Sequence, residues 1–143
     1  MQDELFSPTI RERDNSARPP WRPDSIFYPA FFGGPIAAAV LGLLNARRLG
    51  LTRGTLLAIA AAGAIGFATR VVLSATIDGN SALRLLGSVT GVLVALVVAA
   101  VERRPFRAYV FRGGDPASLV GPGLLAAIGC GLLEAVLIIG LVR

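Results

Sequence analysis

Arg70 and Glu134 are the residues whose type and setting most invite chemistry, because each is a lone charge inside a long apolar stretch. A charge near the centre of a bilayer costs about 2.5–3.5 kcal/mol on insertion scales, so it is usually paired or functional. Each lies a few residues past the middle of its stretch. If the two stretches run in the same direction, a rise of 1.5 Å per residue leaves an offset of only about 3 Å. An Arg70–Glu134 ion pair is therefore expected, with Ser74, one helical turn beyond Arg70, as a further acceptor for the guanidinium. Two roles are open to the pair. It fixes helix register and partner choice, or it forms a titratable or substrate-binding centre in which Glu134 takes a proton or a cation.

The residue types that are missing remove most other chemistry. All 14 basic residues are arginine, there is no histidine, the single cysteine is Cys130 and the single methionine is Met1. Haem ligation through imidazole, zinc sites built on histidine, a Ser-His-Asp triad and a CxxC redox pair are all excluded. Five of the nine acids fall in the first 24 positions (Asp3, Glu4, Glu12, Asp14 and Asp24), and Asp78, Glu102, Asp115 and Glu134 stand singly. No two have the helical spacing of a metal site or a carboxylate dyad. The expectation is a protein that is not an enzyme, with no catalytic residues, no cofactor and no metal.

Hydrophobic residues make up 54% of the 143 positions and charged ones 16%, against about 25% charged in soluble domains. Such a chain cannot clothe a soluble domain of this size in polar surface, and it is too apolar for disorder. The elements that must position the two charges are four apolar stretches near the 20 residues a membrane span requires, over about 26–46, 55–77, 82–101 and 122–142. Residues 1–25 are polar and proline-rich and read as a flexible tail with a short helix around residues 8–13, preceding a transmembrane domain over 26–143. They do not read as a secretory signal, since acids lead and no apolar run follows at once. Asp24 or Ser25 is a plausible N-cap for the first span, and Asn80-Ser81 for the third. Pro122 suits the first position of the fourth. Phe27, Tyr28, Phe31 and Phe32 are assigned to one membrane interface.

The connections over 47–54, 78–81 and 102–121 are short, so the expected fold is all-α: an antiparallel four-helix transmembrane bundle with a polar N-terminal tail. Small residues spaced four apart offer packing stripes: Gly34, Ala38 and Gly42; Ala58, Ala62 and Gly66; Gly87, Gly91, Ala95 and Ala99; Gly123, Ala127, Gly131 and Ala135. They serve internal packing, or on one face a homo-oligomer. Gly33, Gly34 and Pro35 form a helix break within the first span, read as a simple kink. With four crossings, the loops on one side hold seven arginines and the other side six, and the compact loops weigh more in the positive-inside rule. Both termini are then expected outside.

In the third connection, Arg103, Arg104, Arg107 and Arg112 alternate with Phe106, Tyr109 and Phe111. Arginines among aromatics suit anionic lipid head groups at a membrane surface. A nucleic-acid role is not expected of a patch held so closely between two spans.

The segment FFGGPIAAAVLGLLNARRLG, residues 31–50, resembles one that recurs in small bacterial multi-pass membrane proteins with no assigned function. Gly33, Gly34, Pro35, Asn45, Arg47, Arg48, Leu49 and Gly50 carry the likeness, and RRPFRAYVFRGGDPASL matches more weakly. The resemblance implies a bacterial membrane protein and carries over no activity; all-arginine basic usage fits a GC-rich bacterial genome. The expected function is a non-enzymatic accessory or assembly component of the bacterial inner (cell) membrane. Its partners would be the bilayer, anionic head groups, and a second copy or another membrane protein. The alternative is a small oligomeric transporter or channel with Arg70 and Glu134 as the intramembrane ion or proton site. Small four-span multidrug exporters differ in carrying their coupling acid in the first span.

Overall fold

The computed structural model describes residues 18–142; most of the tail, including the helix expected around residues 8–13, lies outside the described residues. The described chain is helical. A short 3-10 turn at Pro23–Ile26 leads into α1 (Phe27–Arg48), followed by α2 (Arg53–Ser74), α3 (Asn80–Phe111) and α4 (Val120–Val142). All four helices are long and apolar enough to cross a membrane. Thr52 caps α2 by accepting a hydrogen bond from the Thr55 N–H at 3.4 Å. The other caps read from the sequence are not used: Gly79 is the N-cap of α3, with no side-chain cap bond, and Asp24 pairs with Arg103 instead. Pro122 falls two residues inside α4.

The first helix departs most from expectation. Gly34 has φ 76° and ψ −167°, a conformation open in practice only to glycine, and it divides α1 into two half-helices, residues 27–33 and 35–48. The break is a reversal and not a bend. Asn45 Oδ1 accepts from the Trp21 N–H at 2.7 Å and Asn45 Nδ2 donates to the Trp21 carbonyl at 3.1 Å. In a straight helix the rise from Phe27 to Asn45 alone would be about 27 Å, too far for the short segment before Phe27 to return. The contacts with α3 trace the turn directly. Asp24 meets Arg103, Ser88 Oγ donates to the Phe31 carbonyl at 2.8 Å, and then Gly42 packs on Val98 and Asn45 Nδ2 donates to Glu102 Oε2 at 2.6 Å. The chain runs along α3 to the level of Gly87 and comes back. Counting from Glu102, that depth is about 22 Å.

Pro35 follows the reversal at a position where a second helix begins, so its missing N–H leaves no vacant donor. The reversal also moves the aromatic residues. Phe31 and Phe32 sit at its tip, exposed and in edge-to-face contact at 5.2 Å between centroids, while Phe27 and Tyr28 pack on the core.

The core lies between α1 and α3, where Ala30, Ala38, Leu41, Val94, Ala95 and Val98 are buried. Small residues set the separations: Gly91 lies against the Ala30 carbonyl, Gly63 against Ala39, Gly66 against Val94, and Gly33 against Ala127. α3 is longer than its apolar stretch. It continues as helix through Pro105 to Phe111, where the sequence suggests a loop from residue 102.

A methyl group at Gly34 would collide with the Glu134 carboxylate and the Arg70 guanidinium and would be strained at this φ. Gly34→Ala is therefore expected to lower the melting temperature sharply in mild detergent. Gly129→Ala, with open space around the new methyl, should be neutral or stabilise by up to about 1 kcal/mol. Equal melting temperatures for the two variants would contradict the reversal.

Candidate functional site

The reversal leaves backbone groups without helical partners in the middle of the bundle. An unpaired peptide group buried away from water costs about 1–3 kcal/mol, so each needs a partner. Ser88 takes the Phe31 carbonyl. The first N–H of the second half-helix, on Ile36, donates to Glu134 Oε1 at 2.6 Å. A carboxylate there meets the positive end of the half-helix as well as its free donor.

Glu134 is fully buried, and its second oxygen, Oε2, accepts from Arg70 Nη1 in an ion pair. The structure thus brings together Arg70 from α2, Glu134 from α4, and Gly34 and Ile36 from α1. Two glycines make room for them: a side chain at Gly34 would strike the carboxylate, and one at Gly87 would strike the guanidinium from α3. Arg70 is 16% exposed, and its Nε is buried without a partner. Ser74, expected to accept from Arg70, is buried nearby, and the two line one cleft at the ends of α2 and α4, though no bond joins them. Chemically, the arrangement holds a carboxylate and a guanidinium in register and leaves donors of the guanidinium free.

A second buried acid is not evident in the sequence. Glu102 is fully buried; Oε2 accepts from Asn45 Nδ2, and Oε1 has no partner. Its place at the end of an apolar stretch, beside two arginines, gives no sign of burial. Only Asn45, an amide inside an apolar helix, hints at a polar partner. Around this cluster the chain is tied down at its base. The Arg48 guanidinium lies 3.7 Å from the centroid of the Trp21 ring and donates to the Pro19 carbonyl at 3.0 Å. The Ala117 N–H donates to the Pro20 carbonyl at 2.9 Å.

The four arginines expected to form a head-group patch are all exposed at the far end of α3. Arg103 bonds to Asp24 at 2.9 Å, an exposed pair of small energetic weight. Arg104 and Arg107 follow on the helix, and Arg112 is its C-cap.

Fold and site together define an all-helical protein with four helices of membrane-crossing length, one of them broken and clamped at its break by a buried ion pair. Comparison of the chain with protein-family models, with curated proteins and with solved structures gives no match.

Removing one partner of a buried pair leaves the other charge uncompensated, at a cost of about 3–5 kcal/mol. Arg70→Ala and Glu134→Ala are each expected to destabilise on that scale. The double replacement should cost less than the sum of the two, because the second change removes the orphaned charge. Thermal unfolding of all three in one detergent measures the coupling. Single variants that melt like the unmodified protein would show that the pair holds nothing together.

Proposed function

We propose that this chain is a non-enzymatic, multi-pass integral membrane protein of the bacterial cell membrane, acting as an accessory or assembly component. Insertion is supported by the outer faces of α2 and α4, where Leu57, Ile65, Val72, Leu125, Leu132 and Val136 are exposed among the described residues. It is supported also by the length of α3: from Asn80 to Glu102 the rise is about 33 Å, close to the thickness of the hydrocarbon core. Ile59 beside Val98, Gly66 beside Val94 and Arg70 beside Gly87 support an antiparallel α2 and α3.

The observation that carries a structural role is the use of Glu134. Both of its oxygens are engaged, one by the Ile36 N–H and one by Arg70. A carboxylate so committed serves the fold first.

In this reading α1 enters and leaves on one side, α2, α3 and α4 cross, and the termini face opposite sides. The charge distribution supports that topology. Among the described residues, nine arginines (18, 22, 47, 48, 53, 103, 104, 107 and 112) belong to the end where Trp21, Asn45 and Glu102 meet, and one, Arg84, belongs to the other. This asymmetry replaces the near-even count that four crossings would give. The positive-inside rule then puts the arginine-rich end and the N-terminus in the cytoplasm, and the C-terminus outside.

Labelling of single cysteines in a Cys130→Ala background tests the arrangement. Arg18→Cys, Leu51→Cys and Asp115→Cys are expected to react from the cytoplasmic side, and Asp78→Cys from the outer side. Opposite sides for positions 18 and 51 would mean that α1 crosses.

A small transporter or channel is the second reading, favoured by the half-helix N-terminus beside the ion pair, an arrangement that serves ion and substrate sites in transporters. Proteoliposomes discriminate the two. The accessory role predicts no ion or proton flux that depends on Glu134. Flux that is lost in Glu134→Gln, with the fold intact, would transfer the function to transport.

A further inference from the structure

The end of the molecule opposite the arginine-rich one holds a cleft of about 520 Å³ between the end of α2, the start of α3 and the end of α4. Arg70, Ser74, Asn80 and Arg84 form its polar side, while Leu83 and Ile138 contribute to an apolar wall. A second cleft of about 460 Å³ is lined by the same two arginines together with Ser88. Among the described residues, no acidic one lines either cleft.

The charge balance here is positive. A guanidinium carries five N–H donors, and Glu134 takes Arg70 through Nη1 alone, while the buried Nε has no partner. Arg84 makes no ion pair among the described residues. Among the described residues, two cations thus line these clefts against one carboxylate, which is paired to Arg70 and also held by the Ile36 N–H. Two guanidiniums on one cavity, with a hydroxyl and an amide beside them, match an oxyanion with several acceptor oxygens.

We propose that this cleft binds a phosphate group, seated between Arg70 and Arg84 with Ser74 and Asn80 as neutral partners. The phosphate comes from an amphiphile, whose acyl part lies on the apolar wall, or from free phosphate. The site is separate from the four exposed arginines at the other end of α3. Access from a lipid leaflet rests on the membrane reading above; the anion chemistry does not.

Titration of the detergent-solubilised protein, followed by native mass spectrometry, tests the proposal with dioleoyl phosphatidic acid as the phosphate probe and dioleoylglycerol as its phosphate-free counterpart. One phosphatidic acid is expected per chain, held at least about tenfold more tightly than dioleoylglycerol. Arg84→Gln, at an exposed position that does not threaten the fold, should weaken phosphatidic acid about tenfold. Arg53→Gln, at the opposite end and outside the head-group patch, should leave it unchanged. Excess inorganic phosphate separates the sources: displacement of the lipid means that the site takes phosphate as such, and no displacement means that the acyl part is required. The proposal is overturned if Arg84→Gln binds like the unmodified protein, if Arg53→Gln weakens binding as much, or if dioleoylglycerol binds equally well. Alkaline carbonate extraction checks the membrane reading separately. Release of the chain from membranes would end that reading and leave the micelle titration standing.

Discussion

A helix broken in its middle leaves peptide groups without helical partners, and the arrangement of this protein follows from satisfying them. Gly34 makes the reversal sterically allowed, Pro35 removes one donor from the account, Ser88 takes the Phe31 carbonyl, and Glu134 takes the Ile36 N–H. The last of these creates a second problem, because a carboxylate buried with one N–H is under-compensated. Arg70 supplies the missing positive charge. Three helices are thereby held at one point: α4 through Glu134, α2 through Arg70, and α1 through its exposed half-helix end. α3 contributes by yielding space at Gly87 and a hydroxyl at Ser88.

The reversal also determines what happens at the other end. Both limbs of α1 return to the level of Glu102, so residues 24 apart in sequence, Trp21 and Asn45, must pack together there. Asn45 is suited to that place because one amide can serve three partners. It offers its oxygen to the Trp21 N–H and its two N–H groups to the Trp21 carbonyl and Glu102. Arg48, one turn later, covers the Trp21 ring and holds the Pro19 carbonyl. Polar groups thus bind the limbs at both ends of the hairpin: a charged cluster at the tip and an amide-centred one at the base. Between them the limbs and α3 touch through alanine, glycine and valine, which allow close approach and carry little directional preference.

How much of this was legible in the sequence depended on how local each signal was. Four apolar helices were readable from run lengths. Arg70 and Glu134 were conspicuous because each interrupts a stretch with no other charge. The reversal was not readable, because Gly-Gly-Pro is compatible with either a kink or a turn and nothing local chooses between them. Glu134, 98 residues away, favours the turn by offering an acceptor for the Ile36 N–H. Reading α1 as a straight span groups Phe27, Tyr28, Phe31 and Phe32 together, whereas the reversal leaves Phe31 and Phe32 exposed at its tip and packs Phe27 and Tyr28 on the core. Glu102 was missed for a related reason. Its neighbours Arg103 and Arg104 are exposed, and only the tertiary position of Asn45 turns this one residue inward.

Arginine at position 70 is not interchangeable with lysine. A lysine ammonium would meet the Glu134 charge as a compact point, with its three donors on one atom instead of spread along a planar edge toward the neighbouring cleft. The planar guanidinium does two things at once: Nη1 faces the carboxylate, and its remaining edges reach the clefts lined with Arg84. The plane has to pass α3 to do so, and Gly87 is where it passes, since any side chain there would occupy the space of the guanidinium carbon. Gly34 makes the same concession to the carboxylate from the opposite side. The two glycines belong to different helices and look alike in sequence to the many others that set helix spacing. Their common function is to leave a socket shaped to one ion pair, and that socket aligns the tip of α1 with α2 and α4.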